Sequence, residues 1–155
     1  MPNKQICHIL TILTALFSTS IFAAIPESPV GYWKTIDDVS GETKSIIEIS
    51  SLPNHTLEGR VVKLFQHPEK ICTECKDSRK NQPILGMVVM QGLHQAHPND
   101  NLWDDGSILD PKNGKIYRCN LQLTDNNQKL LVRGYLGIPL FGRSQTWLKT
   151  EKPQS

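Results

Sequence analysis

The chain has 155 residues, with 17 basic residues against 15 acidic ones, and its formal net charge is +2. A charge this close to zero provides no long-range field for nucleic acid or for an anionic membrane surface, so we expect no nucleic-acid partner. The length suits one ordinary domain with its own apolar core and is too short for two domains of typical size.

The first 24 residues have the layout of a secretory signal peptide. Lys4 precedes an uncharged stretch at 6–22, and the small residues Ala23 and Ala24 follow it. A positive start, a short apolar middle and a small-residue cleavage site are the three parts of such a signal. Hydroxyl residues interrupt the stretch, which is short for a bilayer span of roughly 20 apolar residues. We therefore predict export to the periplasm or beyond, a mature domain at 25–155, and no stable membrane insertion after cleavage.

The rest of the chain alternates short β-type runs with turn residues. The clearest run is 115–124, where Tyr117, Cys119, Leu121 and Leu123 share one face, as in a half-buried strand. Further strands are predicted at 31–36, 43–50, 57–65, 84–90, 106–109, 130–136 and 143–149. About eight strands separated by turns predict an all-β fold, an antiparallel up-and-down barrel whose closure removes exposed edges.

Three connecting segments stand out by length or composition. The segment 66–83 holds two prolines and two cysteines, and 93–103 is polar with two histidines. Both are longer than ordinary hairpin connections, so we expect two long loops. The segment 137–142 is apolar between glycines. This pattern is compatible with a lid, a tip that touches a membrane or a buried plug of the barrel, and of these we expect the plug.

Several motifs, taken together, resemble those of one protein family. They are Gly31-Tyr32-Trp33-Lys34-Thr35, Pro83-Ile84-Leu85-Gly86-Met87, Trp103-Asp104-Asp105-Gly106-Ser107-Ile108-Leu109-Asp110-Pro111, Arg133-Gly134-Tyr135-Leu136-Gly137 and Gly142-Arg143-Ser144-Gln145-Thr146-Trp147. Their order and spacing resemble the DUF2147 family of small exported bacterial proteins. The resemblance covers essentially the whole mature chain and implies no particular activity.

The DUF2147 family in turn resembles the calycin or lipocalin-like barrels. In those barrels, a Gly-x-Trp motif on the first strand packs its indole across the closed end, against an arginine of the last strand. Gly31, Trp33 and Arg143 match that pattern by position. The resemblance therefore implies that these three residues close the barrel, through a cation–π contact between Trp33 and Arg143.

Three cysteines remain after the predicted cleavage: Cys72, Cys75 and Cys119. In an oxidising compartment they favour a disulfide, either between Cys72 and Cys75 or from one of these to Cys119. A metal site would need a third ligand from Cys119, His67, His94 or His97. Zinc usually has a matching second pair of ligands, and a redox-active dithiol needs a helix N-terminus; neither pattern is present. We therefore predict a disulfide and no metal.

Signals for catalysis are weak. The acidic pair 104–105 with Asp110 is compatible with glycoside hydrolysis, but these residue types also form β-turns. His94 and His97 lie near Asp100, and in a polar loop we expect them to be solvated. The common nucleophile, metalloprotease, phosphate-loop and dinucleotide motifs are absent from the sequence. The sequence therefore favours a non-enzymatic protein without catalytic residues or cofactors.

An eight-stranded barrel is just wide enough to be filled by side chains or to hold one small ligand. Alternation places Arg133 on the face of Tyr135 and places Gln145 on the face of Trp147, and we expect both faces to point inward. The candidate ligand-binding residues are Arg133, Tyr135, Gln145 and Tyr117.

The sequence leaves two functions open. The first is binding of a small hydrophobic or amphipathic molecule, which predicts an apolar cavity open at one end. The alternative is an interaction or structural protein with a filled barrel, whose loops 66–83 and 93–103 contact another envelope protein. That alternative predicts a packed interior and an apolar surface patch.

Overall fold

A computed structural model describes residues 28–154, so the predicted signal peptide at 1–24 lies outside the described residues. The chain forms β1 (Gly31–Ile36), β2 (Thr43–Ser51), β3 (Leu57–Leu64), β4 (Val88–Gln95), β5 (Leu102–Asp110), β6 (Lys115–Thr124), β7 (Lys129–Tyr135), a short 3-10 turn (Pro139–Phe141) and β8 (Gly142–Thr150). Each strand pairs with the next, and β8 pairs with β1 to close the barrel. The predicted eight-stranded antiparallel barrel is confirmed. Within residues 28–154, no helix has the length and apolar character needed to cross a membrane.

Two predicted segments differ from the structure. The apolar run 84–90 is only partly strand, because Ile84 and Met87 are buried as part of the preceding loop and β4 begins at Val88. The predicted loop 93–103 is mostly strand, since β4 runs to Gln95 and β5 begins at Leu102. The polar residues of this segment suggested a loop, but an antiparallel strand with one solvated face also carries polar side chains on that face.

The barrel interior is filled by apolar side chains. The strand residues that are almost completely buried include Trp33, Ile49, Met90, Leu93, Leu121, Leu123 and Leu130. In β5, Gly106 leaves space for the side chain of Leu93, because a Cβ atom at Gly106 would lie 2.2 Å from Cγ of Leu93. Such packing matches the dense interior of small barrels, and leaves the two ends of the barrel as the places where its interior can be reached.

The connections between strands fall at two ends of the barrel. One end, here called the mouth, carries the connections 37–42, 65–87, 111–114 and 136–141. The opposite end, here called the floor, carries 52–56, 96–101 and 125–128, together with both ends of the described chain.

Trp33 seals the floor, but its cationic partner is not the predicted one. Gly31 begins β1, and Trp33 is fully buried, with its indole N–H donating to the carbonyl of Pro29 at 2.7 Å. The Nζ atom of Lys149 lies 5.6 Å from the Trp33 ring centroid. Lys149 pairs with Trp33 across β1 and β8, whereas Arg143 lies at the mouth end of β8. The expected Trp33–Arg143 contact is therefore wrong.

A disulfide joins Cys72 to Cys75 within the loop 65–87. Both cysteines are buried in the same apolar cluster as the barrel interior, so this loop extends the core at the mouth. Cys119 is a free, buried thiol, and burial raises its pKa to about 12. While this bond is formed, neither Cys72 nor Cys75 offers the thiolate that a metal site would require.

The disulfide loop rests on the connection between β5 and β6. Gly114 has a positive φ of +68°, and a Cβ atom there would lie 1.8 Å from the carbonyl oxygen of Glu74. The Sγ atom of Cys72 lies 3.7 Å from the carbonyl oxygen of Pro111. Only glycine allows so close a contact between the two segments.

Candidate functional site

A chain of polar contacts runs from the barrel core to the mouth along the inner face of β8. Trp147 is buried, and alternation places Gln145 and Arg143 on the same face. The indole N–H of Trp147 is 3.5 Å from Oε1 of Gln145, and Nε2 of Gln145 donates to Oδ2 of Asp38 at 3.2 Å. The guanidinium of Arg143 donates to that same oxygen. Two donors of the wall therefore converge on one carboxylate oxygen.

The turn that carries Asp38 is organised by its neighbour, Asp37. Lys44 Nζ lies 2.5 Å from Oδ2 of Asp37, and Oδ1 accepts from the backbone N–H of Val39 and of Ser40 at 3.0 and 2.8 Å. The bond to Lys44 is the main cause, and the backbone donors a further cause, of a pKa of Asp37 far below its usual range. Asp37 thus stabilises the turn, and the side chain of Asp38 is left to accept hydrogen bonds from β8.

On the neighbouring strand β7, the inner face at Gly134 lies close to Tyr117 of β6. Gly134 pairs with Arg143 and has no side chain; a Cβ atom there would lie 3.5 Å from Cβ of Tyr117 and 3.6 Å from Cγ2 of Ile108. Tyr117 is half-buried, and its hydroxyl accepts a hydrogen bond from Nδ2 of Asn113 at 3.2 Å. That contact leaves the hydroxyl proton of Tyr117 available as a donor.

Exposed apolar side chains lie on two connections of this end of the barrel, 37–42 and 136–141, and we call them the apolar rim. Its members are Val39, Leu136, Ile138, Leu140 and Phe141. Val39, Leu140 and Phe141 are exposed by 92%, 75% and 77%. The expectation that 137–142 forms a plug is therefore wrong, because the interior is already filled and the segment projects outward.

Hydrogen bonds from Arg133 hold the segment 137–142 on the outside of the barrel. On the outer face of β7, the Arg133 guanidinium donates to the carbonyls of Pro139 and Leu140 at 2.8 and 3.3 Å, and to Oγ of Ser144 at 2.8 Å. Tyr135 shares that outer face, where the guanidinium of Arg118 lies 5.8 Å from its ring centroid. The expectation that these two residues point inward is wrong, since the inner face of β7 carries Leu130 and Val132.

Of the predicted ligand-binding residues, Gln145 and Tyr117 lie on the inner face at the mouth. Arg143 joins them, although the sequence assigned it to the floor. Asp38 was missed altogether. The signal that could have found Asp38 is its place in the turn after β1, because closure brings that turn beside the start of β8, across 105 residues of sequence.

A second polar cluster lies on the outer wall. Nε2 of His94 is 3.8 Å from Oδ1 of Asp104 and 3.8 Å from Oδ2 of Asp105. A register shift in β5 between Trp103 and Gly106 brings both carboxylates opposite the histidine. Asp105 is also paired with Arg118 at 3.2 Å. Such exposed pairs contribute little to stability, and His97 is not part of the cluster.

Two clefts of about 410 and 400 Å³ lie on the outside of the barrel wall. The first is bordered by Tyr32, Glu48 and Val62 together with residues 152–154. The second is formed by residues around Arg79 and Val88. Neither of these two clefts includes Asp38, Arg143 or Gln145, so the candidate site is defined by its side-chain contacts and not by either cleft.

The fold and the sequence together place the chain among known proteins. The family model DUF2147, described as an uncharacterized protein conserved in bacteria, matches residues 31–149. The chain belongs to the DUF2147 family. No curated protein matches this DUF2147 chain.

One solved structure resembles this DUF2147 chain closely in fold. It is protein HP1028 from the human pathogen Helicobacter pylori, described as belonging to the lipocalin family. The two share 15% sequence identity with a TM-score of 0.68, over 80% of this chain and 84% of the other. At this identity the likeness shows a common lipocalin-like barrel, a fold compatible with binding a small molecule.

Proposed function

We propose that this DUF2147 protein is an exported, non-catalytic carrier that binds a small amphipathic molecule at the barrel mouth. The observation that carries the proposal is that a polar part of the inner wall and the exposed apolar rim lie next to each other at the mouth. The inner wall is polar at Arg143 and Gln145, and the neighbouring apolar rim is exposed. An amphipathic molecule offers a partner to each surface.

The filled interior limits where such a ligand sits. Trp33, Leu121 and Leu130 occupy the space that a deeper ligand would need, so the polar head meets the wall at the mouth and the apolar part lies along the rim. Ligand sites generally combine apolar contacts with a few placed polar groups. The prediction of an apolar cavity open at one end is wrong for the described residues, because their barrel interior is packed with side chains. The ligand we propose lies instead in a shallow site at the mouth.

Export and domain extent are part of the same proposal. The sequence of residues 1–24 supports a cleaved signal peptide, and a single mature domain would then span 25–155. A disulfide between Cys72 and Cys75 accords with an oxidising periplasmic or extracellular location.

An envelope interaction protein is the second candidate function. Its two expectations, a packed interior and an exposed apolar patch, both match the described residues. Exposed apolar patches often mark protein–protein contacts. In this version the apolar rim would bind another envelope protein and no small molecule.

A binding experiment separates the two candidates. The probe is 1-decanol, an uncharged amphiphile, titrated into the protein while tryptophan fluorescence is followed. Replacing both Leu140 and Phe141 by serine is expected to weaken decanol binding about tenfold or more. Full burial of one large apolar side chain contributes about 1.5–3 kcal/mol, and a shallow site covers only part of each, so the two together are worth at least about 1.4 kcal/mol, a tenfold change.

Leu148→Ser is the matched control, since Leu148 is an exposed apolar residue on the outer face of β8, away from the rim. It should leave decanol affinity unchanged. Equal losses in the control and the rim variant, or no decanol binding by the unmodified protein, would contradict the carrier proposal and favour the interaction protein.

A further inference from the structure

We propose that the ligand of the mouth carries a carboxylate head group, and that Asp38 occupies the head-group position when the ligand is absent. This inference rests on the proposed carrier function and names the chemistry of its ligand. Asp38 then acts as a built-in competitor that an incoming carboxylate displaces.

The first step is the convergence of donors. Arg143 and Gln145 project from alternate positions on the inner face of β8, and both donate to Oδ2 of Asp38. A guanidinium offers only donors, and a carboxylate offers only acceptors when ionised. The pair of donors is therefore a suitable receptor for any carboxylate that can reach it.

The second step concerns the position of Asp38. Asp38 is not part of the barrel wall; it belongs to the exposed turn 37–42, and its side chain is 36% exposed. The Arg143 side chain is 68% exposed, and exposed ion pairs contribute little in water. Breaking this contact is therefore easily offset by a ligand that also covers the apolar rim.

The third step concerns the other charged groups of the turn. Asp37 is engaged by Lys44 and by two backbone donors, so it does not compete for Arg143. On β6, Tyr117 keeps a hydroxyl proton to donate. A carboxylate at the Asp38 position meets donors on the wall, and its apolar tail points outward past Val39 and the segment 136–141.

The test compares decanoate with 1-decanol, which share a ten-carbon chain and differ in the head group. Asp38→Ala should tighten decanoate binding about two- to fivefold and raise the decanoate-to-decanol affinity ratio, because it removes a competitor held by an exposed ion pair and also removes one repelling charge. Arg143→Gln should weaken decanoate binding by about the same factor and weaken decanol binding less, so that the decanoate-to-decanol affinity ratio falls.

Asp77→Ala is the matched control for net charge. Asp77 is an exposed acid at the same end of the barrel and is paired with Arg79, so its removal should leave the decanoate-to-decanol affinity ratio unchanged. Thermal unfolding of each variant, followed by circular dichroism, confirms that the variants are folded before binding is compared.

The outcomes separate the two proposals. If decanol binds but the decanoate-to-decanol ratio is the same in the unmodified, Asp38→Ala and Arg143→Gln proteins, the carboxylate inference is overturned and the carrier function stands. If neither amphiphile binds the unmodified protein or Asp38→Ala, both proposals are overturned together.

Discussion

Replacing Gly114 by alanine is expected to lower the free energy of unfolding by about 2–5 kcal/mol. The positive φ of +68° costs about 1–2 kcal/mol for a residue with a Cβ atom, and a steric clash adds about 1–3 kcal/mol. The clash is severe because the new Cβ atom would meet backbone, 1.8 Å from the oxygen of Glu74 and 3.0 Å from the nitrogen of Cys75. Urea unfolding measures the loss.

Gly137→Ala provides the control for this prediction. Gly137 also has a positive φ, +77°, but nothing lies within 4 Å of a Cβ atom there, so we expect only about 1 kcal/mol from the backbone. Equal losses at the two glycines would show that the disulfide loop does not rest on the β5–β6 connection. The expected difference instead makes that docking a main support of the mouth.

Replacing Trp33 by alanine is expected to cost about 3–5 kcal/mol, the usual range for removing a large buried aromatic side chain. Trp33 is fully buried and its indole N–H is bonded to Pro29. Since whole domains are stable by only about 5–15 kcal/mol, the variant should lose a substantial share of its free energy of unfolding, which urea unfolding measures. Trp33→Phe should retain most of the packing and lose the bond to Pro29, at about 1 kcal/mol for the bond itself.

Lys149→Met isolates the contribution of the cation over the Trp33 ring. An exposed cation–π contact contributes about 0.5–1 kcal/mol, and methionine retains much of the apolar stem. Thermal and urea unfolding should therefore show only a small loss. A loss as large as that of Trp33→Ala would mean that the lysine, and not the buried indole, closes the floor.

The strands could be predicted from sequence because their signal is local. β6 matches its predicted bounds, Lys115–Thr124, since its inward and outward residues alternate cleanly between apolar and polar. β7 was harder to orient because apolar residues occupy both faces: Leu130 and Val132 fill the core, and Tyr135 is buried on the outside. Alternation alone cannot tell the inner face from the outer face in such a strand.

The candidate site depends on contacts that no local pattern encodes. Asp38 and Arg143 are joined only because β8 pairs with β1. The sequence pointed to Gln145 and Tyr117, whose neighbours are clearly apolar, but it gave Arg143 the role that Lys149 has. The sequence likewise left the disulfide partner of Cys72 open, because only the folded loop places Cys72 beside Cys75 and leaves Cys119 on the wall as a buried thiol.

The most direct test of the central claim, that a ligand binds at the mouth above a filled barrel, is a nitrogen-15 NMR titration with decanoate. We expect shifts in the amides of residues 37–42 and 136–143 and in the indole N–H of Trp147, which contacts Gln145. The indole N–H of Trp33 at the floor should not move. Shifts centred on Trp33, or on the outer cleft beside Tyr32 and Glu48, would contradict binding at the mouth.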